Sequence, residues 1–291
     1  MRPRAFTYHA PSSIAEVIDI LEQHGAEARV LAGGQSLAPV MKLRLASPKH
    51  IVDITRVPAL DLIRGDDGAL LVGALATHEA IENSALVQAH CPVLAEAASH
   101  IADPIVRNRG TIGGNLCHAD PAADFPLAAI ALGAELIAAG RASSRAIPID
   151  RFFAGFLTTA LKPDEILTAL RIPKPPPHSG GAHLKLSRRS NGLAIVGAAV
   201  MLAMDDDGNC TDVRVALAGM GPMPIRAAAA ERALRGNRIT QAVIVDAAAL
   251  APRQTDPPSD VHGSAEYRRT IAPVIVGRAL KLAAERAGAL L

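Results

Sequence analysis

The chain has 291 residues, 49% of them hydrophobic and 20% charged, which is about two average domains with ample apolar material for a core and excludes a disordered tail or a fibre. Thirty Lys and Arg against 28 Asp and Glu leave a formal charge of +2, without the basic surplus of a dedicated nucleic-acid binder. With no Trp, two Tyr and five Phe, ligand stacking on aromatic platforms is nearly excluded, so a planar cofactor must be gripped by other means.

The three cysteines, Cys91, Cys117 and Cys210, form no CxxC pair. A disulfide framework, a four-Cys zinc site and an iron–sulfur thiolate quartet are therefore excluded within the chain, and reduced thiols are expected. Met1 to Ala10 holds Arg2, Arg4 and His9 and lacks the apolar region of a secretory signal. The longest uncharged apolar run, Leu193 to Met204, is shorter than the ~20 residues a membrane helix needs. A soluble, cytoplasmic protein is expected.

In chain order, Ser13-Ile14-Ala15-Glu16 has the spacing of a capping box, and Ile14, Val17, Ile18 and Leu21 continue it as a helix that Gly25 ends. Arg29 to Leu31 and Ile51 to Ile54 read as strands. Leu60 to Arg64 and Ala69 to Val72 flank Asp66-Asp67-Gly68 as a hairpin. Thr77 caps a short helix, Pro92 to Ile101 is another, and a buried apolar helix runs near Leu127 to Leu132. Strands follow near Ala134 to Ala138 and Glu165 to Ile172.

Pro173-Lys174-Pro175-Pro176-Pro177 is a rigid connector, because proline denies hydrogen bonds to both helix and sheet. Beyond it, Ala182 to Ser187, Leu193 to Met204 and Thr211 to Ala218 read as three strands, the last two joined by the Asp205-Asp206-Asp207-Gly208 turn. Helices are expected over Ile225 to Leu234, Thr240 to Leu250 and Ser264 to Ala287, with Pro273 as a kink or restart. The C-terminal third is an α+β layout.

Two glycine pairs carry chemistry. Ala32-Gly33-Gly34-Gln35-Ser36 lies between a strand and a short helix, where successive N–H groups and a helix dipole suit a phosphate. Thr111-Ile112-Gly113-Gly114-Asn115 again offers backbone donors, and Asp124 follows as an acceptor for sugar hydroxyls. Each pair alone is equally readable as a tight turn without ligand. Neither is GxGxxG or a P-loop, so Rossmann and P-loop sites are disfavoured. Two glycine loops this far apart can instead hold the two phosphates of a dinucleotide from opposite sides. His118 and Asp120 are two potential ligands without a third, and His78 at a helix start reads as structural.

Together these motifs resemble the paired FAD-pyrophosphate motifs of the xanthine dehydrogenase / CO dehydrogenase family of molybdenum hydroxylases, specifically its medium, flavin-binding subunit. Phe6 to Ser13, Asp120-Pro121-Ala122-Ala123-Asp124, Lys185 to Arg189 and Ser264 to Arg269 extend the resemblance along nearly the whole chain. It implies an α+β protein with an FAD-binding fold of the vanillyl-alcohol oxidase type, in two subdomains (1–57 and 58–175), and a small C-terminal α+β domain (176–291). It implies that Ala32, Gly33, Gly34, Gln35, Ser36, Thr111, Ile112, Gly113, Gly114 and Asn115 bind the pyrophosphate mainly through backbone. Asp124 then contacts ribose or ribityl hydroxyls, Ile101 and Leu167 line the flavin or adenine, and Lys185 is a polar FAD contact.

The same resemblance implies a small partner subunit with [2Fe–2S] clusters and a large one with the molybdopterin cofactor, in a dimer of heterotrimers. Electrons would pass through FAD here to NAD, a quinone, a cytochrome or O2. One departure from the family pattern is Gly192-Leu193 where an acidic residue and an aromatic often stand. The alternatives are a self-sufficient FAD oxidoreductase and a catalytically silent nucleotide-binding subunit.

Overall fold

A computed structural model describes residues 2–291. Its first unit contains β1 (Thr7–His9), α1 (Ile14–His24), β2 (Ala28–Leu31), α2 (Leu37–Lys42) and β3 (His50–Asp53), the strands forming a parallel sheet in the order β1-β3-β2. Ser13 caps α1 by accepting from the Glu16 N–H. The Glu16 carboxylate reaches back one residue further than a capping box requires, to the Ser12 N–H at 2.8 Å. Val17, Ile18 and Leu21 are the buried face of α1, each worth about 1.5–3 kcal/mol of apolar burial. Gly25 ends the helix with φ +49°.

The second unit opens with β4 (Ile63–Asp66) and β5 (Ala69–Gly73), the expected hairpin. Asp67 and Gly68 both have positive φ, the primed-turn geometry that matches strand twist. Six helices follow: α3 (His78–Asn83), α4 (Ala85–His90), α5 (Pro92–Ser99), α6 (Pro104–Arg107), α7 (Ile112–His118) and α8 (Asp124–Leu132). The chain continues through β6 (Glu135–Ala139), β7 (Ser144–Pro148), the small β8 (Phe153–Gly155) and β9 (Thr158–Thr159) pair, and β10 (Ile166–Pro173). The main sheet is antiparallel in the order β4-β5-β10-β6-β7. Every residue of α8 is buried. A helix apolar all round must be covered on all sides, and α8 lies against β10 on one side and the C-terminal sheet on the other.

The C-terminal unit has β11 (Ser179–Ser187), β12 (Ala194–Met204), β13 (Cys210–Ala218) and β14 (Ile225–Arg226) in one antiparallel sheet, then α9 (Ala228–Leu234), α10 (Gln241–Ala249) and α11 (Ala265–Arg286). Two expectations need correction. Ile225 and Arg226 are not helical: they pair with Leu217 and Ala216, so the sheet has four strands rather than three. Pro273 neither stops nor restarts α11, which runs unbroken through it. Packing of Ala272, Ile275, Val276, Ala279 and Leu280 into the core offsets the missing hydrogen bond.

The Ser264 hydroxyl caps α11, and the buried Arg268 donates to the Ile195 and Gly219 carbonyls and to the Asp260 carboxylate at 2.8 Å. That is the structural content of the Ser264–Arg269 motif.

Candidate cofactor site

A cleft of about 730 Å³ opens between the first and second units, well inside the ~300–1,000 Å³ of ligand sites. Ala32, Gly33, Gly34, Gln35 and Ser36 line one wall, and Gly110, Thr111, Gly113, Gly114 and Asn115 the other. Leu167 contributes apolar surface, and Thr158, Thr159 and Lys162 close one side. The two glycine motifs, separated by some eighty residues in sequence, thus face one ligand-sized space. Thr158 to Lys162 had no signature in the sequence that would have placed them there.

The first motif is built for an anion. Gly34 has φ +73°, a left-handed conformation that favours glycine. Among the described residues, the backbone N–H groups of Gly33, Gly34, Gln35 and Ser36 have no protein acceptor. Unpaired N–H groups are costly unless water or a ligand takes them, and here they precede the first turn of α2, where the helix dipole adds positive potential.

The second motif differs from expectation. It is not a loop: Thr111 is the N-cap of α7, and Ile112 to Asn115 are that helix's first turn. Its N–H groups are already used. Ile112 donates to the Ala76 carbonyl, Gly113 to Ala74, Gly114 to the Thr111 hydroxyl and Asn115 to the Thr111 carbonyl. Its glycines serve close approach instead. A Cβ on Gly113 would meet Ala74 at 2.6 Å, and one on Gly110 would meet His78 Nε2 at 2.5 Å. Gly114 is exposed and points its missing side chain at the cleft, and Asn115 Oδ1 is buried there without a partner. The side chain of Ile112 is fully buried in the core and makes no approach to the cleft.

Gly33 binds the two motifs into one site. An added Cβ would stand 2.0 Å from the Arg109 carbonyl oxygen and 2.8 Å from Gly110 Cα. Only glycine allows the two backbones to approach this closely.

Ile101, Asp124 and Lys185 lie off the cleft lining, in a buried cluster between α5, α8 and β11. Lys185 Nζ donates to Asp124 Oδ2 at 2.8 Å and to the His100 carbonyl at 2.8 Å. His183, 1% exposed, holds Nε2 3.2 Å from Asp124 Oδ1, off the hydrogen-bonding direction, so both atoms are left unpartnered. Burial pushes the Asp124 carboxyl upward, but His183 and Lys185 outweigh it and hold it below the usual carboxylate range. Burial, then His183, lowers the His100 ring. The sequence offered Asp124 and Lys185 as separate contacts. Their mutual pairing and the two histidines were not legible, because a helix start and a strand sixty residues on reveal no proximity.

His78 also lines the cleft, 3% exposed, edge-on to Phe125 at 5.0 Å between ring centroids. Burial and then the Arg107 charge push its pKa down to about 4, so it is neutral at physiological pH. Burial of its sulfur pushes the Cys117 thiol up to about 12, consistent with an unreactive packed group. Leu193 is 56% exposed, immediately before β12.

Residues 4–175 match the family model described as FAD binding domain in molybdopterin dehydrogenase, and residues 182–283 match the CO dehydrogenase flavoprotein C-terminal domain. The chain belongs to the FAD-binding subunits of molybdenum hydroxylases. It is 39% identical to the carbon monoxide dehydrogenase medium chain of Hydrogenophaga pseudoflava, over 97% of this chain and 98% of that one. It is 37% identical to subunit alpha of the 6-hydroxypseudooxynicotine dehydrogenase complex of Paenarthrobacter nicotinovorans, over 99% and 97%. The solved carbon monoxide dehydrogenase of Hydrogenophaga pseudoflava superposes with a TM-score of 0.96 at 41% identity, covering 98% of this chain and 99% of that chain.

Membership fixes the fold as that of an FAD-binding domain followed by the C-terminal α+β domain, and makes this chain an oxidoreductase subunit with FAD as its cofactor. The site fits that cofactor. The free N–H groups suit a diphosphate, the unpartnered Asn115 amide oxygen can accept from a hydroxyl, and few aromatic rings are at hand to stack. No helix among the described residues is long and apolar enough to cross a membrane.

Proposed function

We propose that this chain holds FAD across the cleft and forms the electron outlet of a multi-subunit molybdenum hydroxylase. The observation that carries the binding mode is the row of unpaired N–H groups at Gly33–Ser36, facing the bare first turn of α7 at Gly114. In this reading Ala32 to Ser36 bind the pyrophosphate through backbone, and the Ser36 hydroxyl adds a donor. Thr111, Gly113, Gly114 and Asn115 form the opposing wall: Gly113 lets α7 dock, Gly114 leaves room for phosphate, and the Asn115 amide hydrogen-bonds the cofactor. Leu167 supplies an apolar wall, and Ile101 stands behind it with the buried cluster. Asp124 and Lys185, paired and sealed behind this lining, reach a ribose or ribityl hydroxyl only if cofactor binding opens the cluster between α5, α8 and β11.

FAD, when bound, supplies electron exchange between an iron–sulfur donor and a soluble acceptor, and the protein supplies position and field. The three cysteines include no cluster-binding set, so the donor centres belong to partners: a small iron–sulfur subunit and a large molybdopterin subunit, assembled as a dimer of heterotrimers. The acceptor is drawn from NAD, a quinone, a cytochrome and O2, and the complex works in the cytoplasm. The relatives named as medium chain and complex subunit support this reading over a self-sufficient oxidoreductase. In this reading the chain divides into 1–57, 58–175 and 176–291, a division supported by one sheet of three or more strands in each part.

Purified chain supplemented with FAD is expected to retain flavin absorbance near ~450 nm after desalting. Folded protein that stays colourless would overturn the reading.

A further inference from the structure

Among the described residues, one group of three potential metal ligands converges: His9 at the end of β1, His24 at the end of α1 and His50 at the start of β3. One ring nitrogen from each lies within 4.8 Å of the other two. His9 Nε2 is 3.0 Å from His50 Nδ1, and the His24 and His50 rings stack at 3.6 Å with only 9° between their planes. The His9 ring lies 5.5 Å from that of His24. All three are half-buried.

Imidazoles packed this way repel one another when protonated. No carboxylate among the described residues makes an ion pair with any of the three: the nearest, Glu27, is engaged by Lys49 at 2.5 Å. The three rings thus bring nitrogens toward a common point with one mutual hydrogen bond among them.

We propose that His9, His24 and His50 form a binding site for a borderline divalent transition cation such as zinc. Imidazole nitrogen suits this class of ion. Tetrahedral zinc takes nitrogen at about 2.0–2.1 Å, so ligand nitrogens stand ~3.3 Å apart, and the observed trio closes onto an ion with shifts of order 1 Å. Water takes the fourth position on the exposed side.

The three ligands come from three separate elements of the first unit. The ion therefore clips β1 and the end of α1 to the central strand β3. His24 directly precedes Gly25 and Ala26, which line the cofactor cleft, so the clip holds that wall of the cleft in place.

The test uses the untagged, flavin-loaded protein, stripped with chelator and dialysed against micromolar zinc, beside His24→Ala and His9→Ala. The intact protein is expected to retain one zinc per chain. X-ray absorption is expected to show nitrogen and oxygen ligands without sulfur. Each variant is expected to lose affinity by more than the ~10–100-fold that loss of a supporting contact costs, while keeping the circular dichroism spectrum of the intact protein as proof of folding. Absence of zinc binding to the intact protein, sulfur among the ligands, or unchanged binding by both folded variants would overturn the site.

Discussion

Gly33 lies against the carbonyl of Arg109, so that a single added methyl would stand 2.0 Å from that oxygen. Backbone cannot yield as a flexible side chain does. Gly33→Ala is therefore expected to force the two cleft walls apart, costing about 3 kcal/mol as an overpacking defect. Flavin content after desalting and a urea unfolding midpoint measure the two consequences. Unchanged flavin and unchanged midpoint would show that the walls do not need this contact.

Lys185 and Asp124 are both nearly sealed from solvent, with side chains 5% and 4% exposed. Removing one partner strands the other. Lys185→Met is expected to destabilise the protein by about 3–5 kcal/mol, and the double variant with Asp124→Asn to recover much of that. The pH dependence has a definite sign. Asp124 has a lowered pKa when folded, so its pairing stabilises the protein above the unfolded carboxylate value, and that stability is lost as pH falls through the folded one. The stability gap between the intact protein and Asp124→Asn, followed by denaturant titration, should shrink only in strong acid.

His78 titrates in a separate window. Its folded pKa is about 4 against 6.5 for the free side chain, because burial disfavours the cation. The unfolded chain binds the proton first, so stability is expected to fall as pH drops from 6.5 toward 4, by up to about 3 kcal/mol. His78→Gln should remove this component and flatten the stability profile between those limits. An unaltered profile would place the titrating group elsewhere.

Much of this was legible locally. Ser13 and Thr77 announced helix starts through their hydroxyls, and Asp67-Gly68 announced a hairpin, because capping and turn chemistry act over a few residues. The glycine pairs announced the site, and both line one cleft. What stayed hidden depends on the tertiary fold. Gly113 and Gly114 form a helical turn, against their intrinsic preference, because Thr111 caps it and Ala74 packs on it. Ile225 and Arg226 are too short a segment to signal a strand, and become one only because β13 offers an open edge. The Asp124–Lys185–His183 cluster and the trio of histidines join residues forty or more positions apart, or on separate elements, which no local pattern encodes.

The central claim, that FAD phosphates lie between Gly33–Ser36 and the first turn of α7, is tested most directly at Gly114. This residue is exposed to the cleft, and an added Cβ meets only the Thr111 hydroxyl at 2.9 Å and Ala32 Cβ at 3.8 Å. As the third residue of α7 it also tolerates an acidic side chain, which the helix dipole favours. The measurement is bound flavin per folded chain in Gly114→Asp beside Gly114→Ala. The account predicts that the alanine variant keeps most of its FAD and that the aspartate variant, still folded, loses it through repulsion from the diphosphate. Full flavin in the aspartate variant would contradict the account.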